Sequence, residues 1–173
     1  MDPNRLKVTV HQSDLEAKDI WEKDHGKKAY VCNSEHNFWT MGAEKGLPCG
    51  PCSEIYYDFS EGNQIKKGGE SVLPPDDENC LEIWNLVFMQ YEHNGKQNPV
   101  DVWDETQWQK LRGGRCVDTG MGLERLTSVL QNIKNSNFKI DSLQTSIDYV
   151  QNILSKILGR GSYNSFYEFY LPC

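Results

Sequence analysis

The sequence predicts an α+β fold in which the strands come first along the chain and the helices follow. Three observations lead to this prediction. Residues 6–10 alternate apolar and polar side chains, as a strand with one buried face does. Residues 81–92 carry apolar side chains on both faces, as a central strand does. From Leu123 onward, apolar residues recur at intervals of three and four, which is the period of an amphipathic helix.

The first half of the chain gives local signals for individual elements. Ser13 and Glu16 fit a capping box, so we predict a helix over residues 14–25. Residues 42–54 hold Gly and Pro without periodicity, which predicts a constrained loop, and residues 55–59 follow as a strand. Residues 60–77 are rich in Gly, Lys and Glu, which is typical of a mobile surface insertion.

The second half predicts a strand ending, a turn and two helices. Residues 116–119 form a short strand, and residues 120–122 turn into a helix whose leucine stripe would face inward. The stripe consists of Leu123, Leu126, Leu130 and Ile133. A second amphipathic helix is predicted over residues 143–158. Two domain boundaries are plausible, one within residues 60–77 and one near residues 134–142. Because the residues after the second boundary are helical in pattern, we favour it and predict a first domain, residues 1–136, and a second, residues 137–173.

Composition and charge exclude some classes of protein. No run of 18 or more apolar residues is present, so no membrane span is predicted. The first residues lack the apolar segment of a signal peptide, so a cytoplasmic location is the default, with an organelle matrix as the alternative. The net charge of −7 argues against a chain devoted to nucleic-acid binding, although it leaves room for a local basic patch.

Six cysteines in a chain without an export signal are most simply free thiols. Cys49 and Cys52 form a C-x-x-C pattern, which by itself is also typical of a redox pair or of half a zinc site. A zinc site needs two further ligands at suitable spacing, and the sequence offers no second C-x-x-C and no H-x₃-H. We therefore expect no zinc in this segment.

Four residues combine a chemical group with a position where a ligand could reach it. Arg125 lies one turn into a helix that follows two glycines, where it could bind phosphate or be a solvated surface residue. Asp118 ends a strand, where it could bind an ammonium group or cap the turn. Asn85 is the one polar group on its strand face, so it bonds either a neighbouring loop or a ligand. Trp39 could wall a small pocket or fill the core.

Taken together, four motifs in this order are far more specific than any of these residues alone. They are NFWTMG at residues 37–42, GPCSEIYYD at 50–58, LEIWNLVFMQ at 81–90 and VDTGMGLER at 117–125. The series resembles that of alanyl-tRNA synthetase, a class II aminoacyl-tRNA synthetase, over about residues 6–141. The resemblance implies part of the class II antiparallel sheet flanked by helices, followed by the start of the helical domain that recognises tRNA.

The resemblance also implies a reaction and its partners. The family is an alanine–tRNA ligase: it activates alanine with ATP and Mg²⁺ and transfers it to tRNA(Ala). Alanine-binding residues are implied at Trp39, Asn85, Asp118 and Gly120. ATP-binding residues are implied at Ile83, Gly122 and Arg125, with Arg125 as the catalytic motif 3 arginine.

The magnesium assignment carries a condition on the structure. Glu82 resembles the class II glutamate that binds Mg²⁺. Strict alternation along a strand would put Glu82 and Asn85 on opposite faces, so the two assignments together need a β-bulge.

The sequence departs from the family in what it lacks. No match for class II motif 1 or motif 2 is found, and motif 2 supplies the arginine that binds the α-phosphate. We therefore expect this chain alone to be inactive in alanine activation. The alternative is a non-catalytic module of the same family that binds alanine, ATP or a partner protein. Sheet edges left open by missing strands would favour self-association.

Overall fold

The computed structural model describes residues 1–42, 44–60, 73–95, 108–134 and 136–158. The chain divides into two compact units, Asp2–Gly122 and the residues from Leu123 onward. The boundary predicted between residues 136 and 137 divides a catalytic domain from a tRNA-recognition domain by function, and it stays a prediction. Most of the predicted insertion, residues 61–72, lies outside the described residues. No helix in the described part of the chain is long and apolar enough to cross a membrane.

Within the described residues, eight strands form one mixed sheet in the first unit. The strands are β1 (Leu6–His11), β2 (Ala29–Cys32), β3 (Phe38–Thr40), β4 (Pro48–Asp58), β5 (Cys80–Met89), β6 (Tyr91–His93), β7 (Trp108–Lys110) and β8 (Cys116–Met121). Their main order is β2-β1-β4-β5-β8, while β3 and β6 pair with the start of β4 and β7 pairs with β6. Only β1 and β2 run parallel among these pairs.

Short helices cover the sheet in the first unit, and longer ones form the second unit. In the first unit they are α1 (Leu15–Asp19), which continues as a π-helical turn over Ile20–Asp24, and α2 (Ser34–Asn37). In the second unit they are α3 (Leu123–Leu130) and α4 (Asp141–Leu158). The α+β class is therefore confirmed, and both predicted late helices are present.

The two faces of the sheet carry different chemistry near β1. On one face, which we call the back face, Val8 and Val10 pack with Ala17 of α1, and Trp21 joins this core. The opposite, front face carries polar side chains even where it is buried, as at Thr9. There the Asn37 amide nitrogen of α2 donates to the Thr9 hydroxyl at 2.8 Å and to the Cys52 carbonyl at 3.2 Å.

The loop predicted over residues 42–54 is wrong from Pro48 onward, because β4 begins there and runs for 11 residues. The loop was predicted because proline has no backbone N–H to donate and is therefore rare in central strands. Here Pro51 lies opposite Phe38 of the three-residue strand β3, close to the end of the strand pairing. Near the end of a strand pairing, the lack of a backbone N–H at a proline costs few inter-strand hydrogen bonds.

Two finer predictions about the helices are also wrong. Asp14, not Ser13, caps α1: its carboxylate accepts the backbone N–H of Ala17 at 3.0 Å. In α3 the fully buried positions are Ser128 and Val129, whereas Leu123 and Leu130 of the leucine stripe are exposed. Periodicity identifies an apolar face but not the element that covers it.

His11 is a buried histidine held in one tautomer by two serines. The backbone N–H of Ser13 donates to Nδ1 at 3.2 Å, so the ring proton lies on Nε2, which is 3.0 Å from the hydroxyl of Ser34. Only 1% of the side chain is exposed. Burial lowers the pKa of His11 below its ordinary value, because the charged ring would lose its hydration.

We predict that acidification destabilises the fold through His11. Below the unfolded-state pKa of about 6.5 the unfolded chain binds a proton that the folded chain binds less readily, so stability present at pH 7.5 falls toward pH 5.5. Urea unfolding at the two pH values measures this difference. His11→Gln should flatten the pH dependence, while the exposed His25→Gln should retain it. An unchanged slope in His11→Gln would contradict the assignment.

A second prediction concerns Gly50 of β4, which β5 approaches closely. A Cβ atom at Gly50 would overlap the carbonyl oxygen of Phe88, a backbone atom that cannot move aside independently. Gly50→Ala should therefore lower the free energy of unfolding by about 2 kcal/mol or more. Gly120→Ala is the matched control, since its Cβ would meet no atom within 4 Å. Equal unfolding midpoints for the two variants would refute this account.

Candidate functional site

Three of the four predicted alanine-binding residues, Asn85, Asp118 and Gly120, lie together on the front face of the sheet. Directly paired residues of antiparallel strands point to the same face, and so do alternate residues along one strand. Asn85 lies opposite Gly120, and Val87, two residues along β5, lies opposite Asp118. Asn85, Asp118 and Gly120 are thus neighbours on β5 and β8.

Trp39 reaches the same face from β3. It lies opposite Gly50 on β4, and Cys52, two residues further along β4, lies opposite Val87. The half-buried Trp39 side chain packs against the buried cluster of Cys52, Val87 and Met89. An aromatic wall, an amide and a carboxylate therefore lie around one apolar patch, all within the first unit.

The bulge required by the predicted assignments is present in β5. Glu54 lies opposite Asn85 and Tyr56 lies opposite Glu82, so that Ile83 is one residue too many between the two strands. Glu54 and Tyr56 share the front face, and the extra residue brings Glu82 and Asn85 onto that face together. The conflict between the two assignments disappears because the strand changes phase at Ile83.

Ile83 and Gly122, both predicted ATP-binding residues, are joined by a hydrogen bond. The backbone N–H of Gly122 donates to the Ile83 carbonyl at 3.2 Å, where β8 has just ended. The Ile83 side chain is buried. The bulge residue is therefore tied to the segment that leads into α3, and the ATP-binding roles of both residues stay predictions.

Asp118 and Gly120 lie within β8 and not at its end, which corrects the predicted turn at residues 120–122. Every residue of β8 is exposed, and β8 is the outer strand of the main sheet path among the described residues. Asp118 is consequently held by strand pairing to β5 on one side and is accessible to a ligand on the other.

The residue that sequence reasoning missed is Glu54. Glu54 is only 6% exposed. The Tyr56 hydroxyl donates to Oε2 at 2.6 Å, and the Asn85 amide nitrogen donates to Oε1 at 3.0 Å. The sequence does contain a signal for this burial. Glu54 alternates with Cys52 and Tyr56, so in a strand it lies on the same face as these two residues. The loop prediction for residues 42–54 concealed this.

Burial and neighbouring carboxylates alter the titration of two other front-face groups. Burial, more than any other cause, raises the pKa of Tyr56 well above its ordinary range, and the hydrogen bond to Glu54 and the charges of Glu54 and Glu82 act in the same direction. Burial likewise raises the pKa of Cys52, with the Glu54 charge as the second cause. Both groups therefore stay neutral at physiological pH.

Arg125 belongs to the second unit and lies on α3, half-buried. Its backbone carbonyl accepts a hydrogen bond from the Ser128 hydroxyl at 2.8 Å. The two glycines that precede it in sequence, Gly120 and Gly122, are part of or next to β8 in the first unit. The phosphate-binding role of Arg125 stays a prediction.

Cys49 and Cys52 lie on opposite faces of β4, because their positions in a continuous strand differ by an odd number of residues. Both are buried and free. Within the described ranges, no group of three or more His, Cys, Asp or Glu side chains could hold a metal ion. Two thiols on opposite sides of one strand cannot bind one zinc ion together or close a disulfide without rebuilding the strand.

Comparison with known proteins agrees with this architecture. The family described as tRNA synthetases class II (A) matches residues 1–167. The chain belongs to this class II tRNA synthetase family. An alanine–tRNA ligase of Rickettsia felis is 39% identical over 165 residues, and one of Rickettsia bellii is 41% identical over 154 residues. The resemblance to alanyl-tRNA synthetases that the four motifs indicate is confirmed.

The matched region is a small part of those relatives. It covers 93% of this chain but 17% of the Rickettsia felis protein, and 87% of this chain but 16% of the Rickettsia bellii protein. The chain therefore spans about one sixth of the length of these relatives.

The cysteines allow a direct test of the β4 assignment. Burial raises the pKa of Cys49 to about 12, and Cys52 is also shielded, whereas Cys116 on β8 is exposed. With iodoacetamide at pH 8, followed by mass spectrometry, Cys116 should be alkylated while Cys49 and Cys52 react only after unfolding. Rapid joint modification of Cys49 and Cys52 in the folded protein would contradict a buried strand here.

Proposed function

We propose that this chain forms the alanine-binding part of the aminoacylation site of an alanine–tRNA ligase. The observation that carries the proposal is the common front face of Trp39, Asn85 and Asp118, which come from three strands far apart in sequence. Membership of the class II synthetase family supports the reaction type. The names of the Rickettsia relatives support alanine as the amino acid.

The chemistry of these groups suits a small amino acid. In the proposed complex, the exposed Asp118 carboxylate pairs with the alanine ammonium group, as opposite charges with hydrogen-bonding capacity do. Trp39, packed on the cluster of Cys52, Val87 and Met89, limits the space for the side chain and favours a methyl group. Discrimination by size alone is worth only about 1–3 kcal/mol per methylene, so polar contacts have to supply the rest.

The proposed reaction needs no protein nucleophile. The alanine carboxylate attacks the α-phosphorus of ATP, a new C–O–P link forms, and the bond to the β-phosphate breaks to release pyrophosphate. The protein's part is to align the two reactants and neutralise charge. We assign the ATP contacts to Ile83, Gly122 and Arg125.

Class II synthetases use Mg²⁺ with ATP, and Glu82 fits this ion. Mg²⁺ in nucleotide sites is typically held by one or two carboxylates, while phosphates and water complete its shell. Glu82 lies on the front face beside Tyr56 and Glu54, so its carboxylate could contribute such a ligand. The Mg²⁺ would neutralise phosphate charge, and Glu82 would fix its position.

We further propose that the chain by itself binds alanine but does not activate it. The support is the lack of a match to motif 2, whose arginine binds the α-phosphate. The non-catalytic binding module is the alternative, and it would retain the same front-face residues. In the described part of the chain β8 pairs with β5 on one side, and we expect another strand, from a second copy or from another polypeptide, to pair with its other edge.

The proposal predicts alanine binding that depends on Asp118. Calorimetry should detect alanine binding to the wild-type chain, and Asp118→Asn should weaken it by about tenfold or more, because an ion pair is replaced by a neutral contact. The exposed Asp24→Asn serves as the control for loss of a charge and should bind normally.

A pyrophosphate-exchange assay with alanine and ATP distinguishes a chain that activates alanine from one that only binds it. Alanine binding without exchange is the result expected for this chain. Robust exchange would contradict the proposed inactivity while supporting the enzyme assignment. Absence of alanine binding in the folded wild-type chain would refute the alanine pocket itself.

A further inference from the structure

The half-buried Asn85 amide is a polar group of the front face. An amide has two different ends, a nitrogen that only donates and an oxygen that only accepts. Ligand recognition by Asn85 therefore depends on which end faces the ligand. In a site where the side chain could rotate by a half turn, either end would be available.

Glu54 removes this freedom. Both oxygens of its carboxyl group accept hydrogen bonds, Oε2 from the Tyr56 hydroxyl and Oε1 from the Asn85 nitrogen at 3.0 Å. Rotation of the amide would bring two acceptor oxygens together in a buried place, which is strongly unfavourable. Glu54 is itself fixed, because the Tyr56 hydroxyl donates to Oε2 at 2.6 Å and the residue is buried.

The two ends of the amide differ in their partners on the β4 side. The nitrogen donates to Glu54 Oε1 at 3.0 Å. The Asn85 oxygen is shielded from solvent and has no hydrogen-bond partner among the described residues. A shielded acceptor without a partner is unfavourable for the folded chain, and such groups commonly serve a ligand.

We propose that Glu54 is a positioning residue that fixes Asn85 as an acceptor, so that the site selects ligands carrying an ammonium group. This inference rests on the proposed alanine pocket. The ammonium would be shared between the Asn85 oxygen and the Asp118 carboxylate, since Asp118 lies opposite Val87, two residues along β5 from Asn85. Because the oxygen is shielded, ammonium binding requires the surrounding side chains to shift. Acids of the same size without an ammonium group would be rejected.

The first test observes the amide directly and needs no ligand. In ¹H–¹⁵N spectra of this chain, the Asn85 side-chain NH₂ pair is identified by its loss in Asn85→Asp. Glu54→Gln should shift this pair, because the amide that this substitution introduces can accept from Tyr56 and donate to the oxygen of a rotated Asn85. Glu92→Gln removes another buried carboxylate, one that binds Gln109 and Arg112. It should lower stability and leave the Asn85 pair in place.

The second test uses binding and a reciprocal exchange of the two groups. Glu54→Gln should weaken alanine binding by about tenfold or more, because a rotated Asn85 would present N–H groups to the ammonium. The double variant Glu54→Gln with Asn85→Asp restores a donor–acceptor pair and leaves a carboxylate oxygen toward the ligand. It should recover most of the affinity, which a general loss of packing would not allow. If Glu54→Gln alone does not fold, the double variant carries the test.

The outcomes distinguish this inference from the proposed function. If wild type binds alanine and folded Glu54→Gln binds it equally well, or if the Asn85 NH₂ pair does not move, the positioning role is refuted and the alanine pocket stands. If the double variant folds but binds no better than Glu54→Gln, the acceptor role is refuted. If wild type binds propionate as tightly as alanine, the ammonium selection is refuted. If wild type binds no alanine, the proposed function fails and this inference fails with it.

Discussion

β4 and β5 lie side by side through the middle of the sheet, and their pairing positions each part of the candidate site. Cys52 opposite Val87 forms the apolar floor on which Trp39 packs, and Glu54 opposite Asn85 forms the buried hydrogen bond. β8, with Asp118, is then attached to the other side of β5. A ladder of backbone hydrogen bonds resists sliding, because a slip by one residue would move every side chain to the opposite face. The relative positions of amide, carboxylate and aromatic ring are thus set by backbone pairing and not by flexible loops.

Gly50 shows what this close pairing demands of the sequence. The strands approach so closely there that a single carbon atom would overlap a backbone oxygen of β5. The glycine and the adjacent Pro51, which lies opposite the short β3, give the start of β4 the composition of a loop. At the start of β4, close fit between the backbones constrains the sequence as much as strand propensity does.

Much of the architecture was accessible from the sequence, for identifiable reasons. The central strand was predicted from a long apolar run, and β1 from alternation. The two late helices followed from a 3.6-residue period, because regular periodicity survives whatever surrounds the element. Asn85 stood out as an isolated amide on an apolar strand face. The bulge was predictable only because two expected roles, those of Glu82 and Asn85, conflicted with strict alternation.

The remaining features depend on partners that no local pattern contains. Glu54 could not be assigned to Asn85 without knowing that residues 48–54 are a strand and how that strand aligns with β5. The leucine stripe of α3 was identified as a face, yet Leu123 and Leu130 are exposed, because periodicity does not say which neighbour is present. The choice of Asp14 over Ser13 as the cap of α1 was decided by a single hydrogen bond of 3.0 Å to Ala17.

The extra residue in β5 has an evolutionary consequence. Strand length elsewhere in a sheet can change at its ends without disturbing the middle, but Ile83 sets the phase between the glutamate on one side of it and the asparagine on the other. If the same residues paired with β4 without the bulge, Glu82 would turn away from the face that it shares with Asn85, although every residue type stayed the same. Selection on this segment therefore acts on the pairing geometry as well as on residue identity, because a chain with two residues between the glutamate and the asparagine keeps both on one face only while the bulge persists.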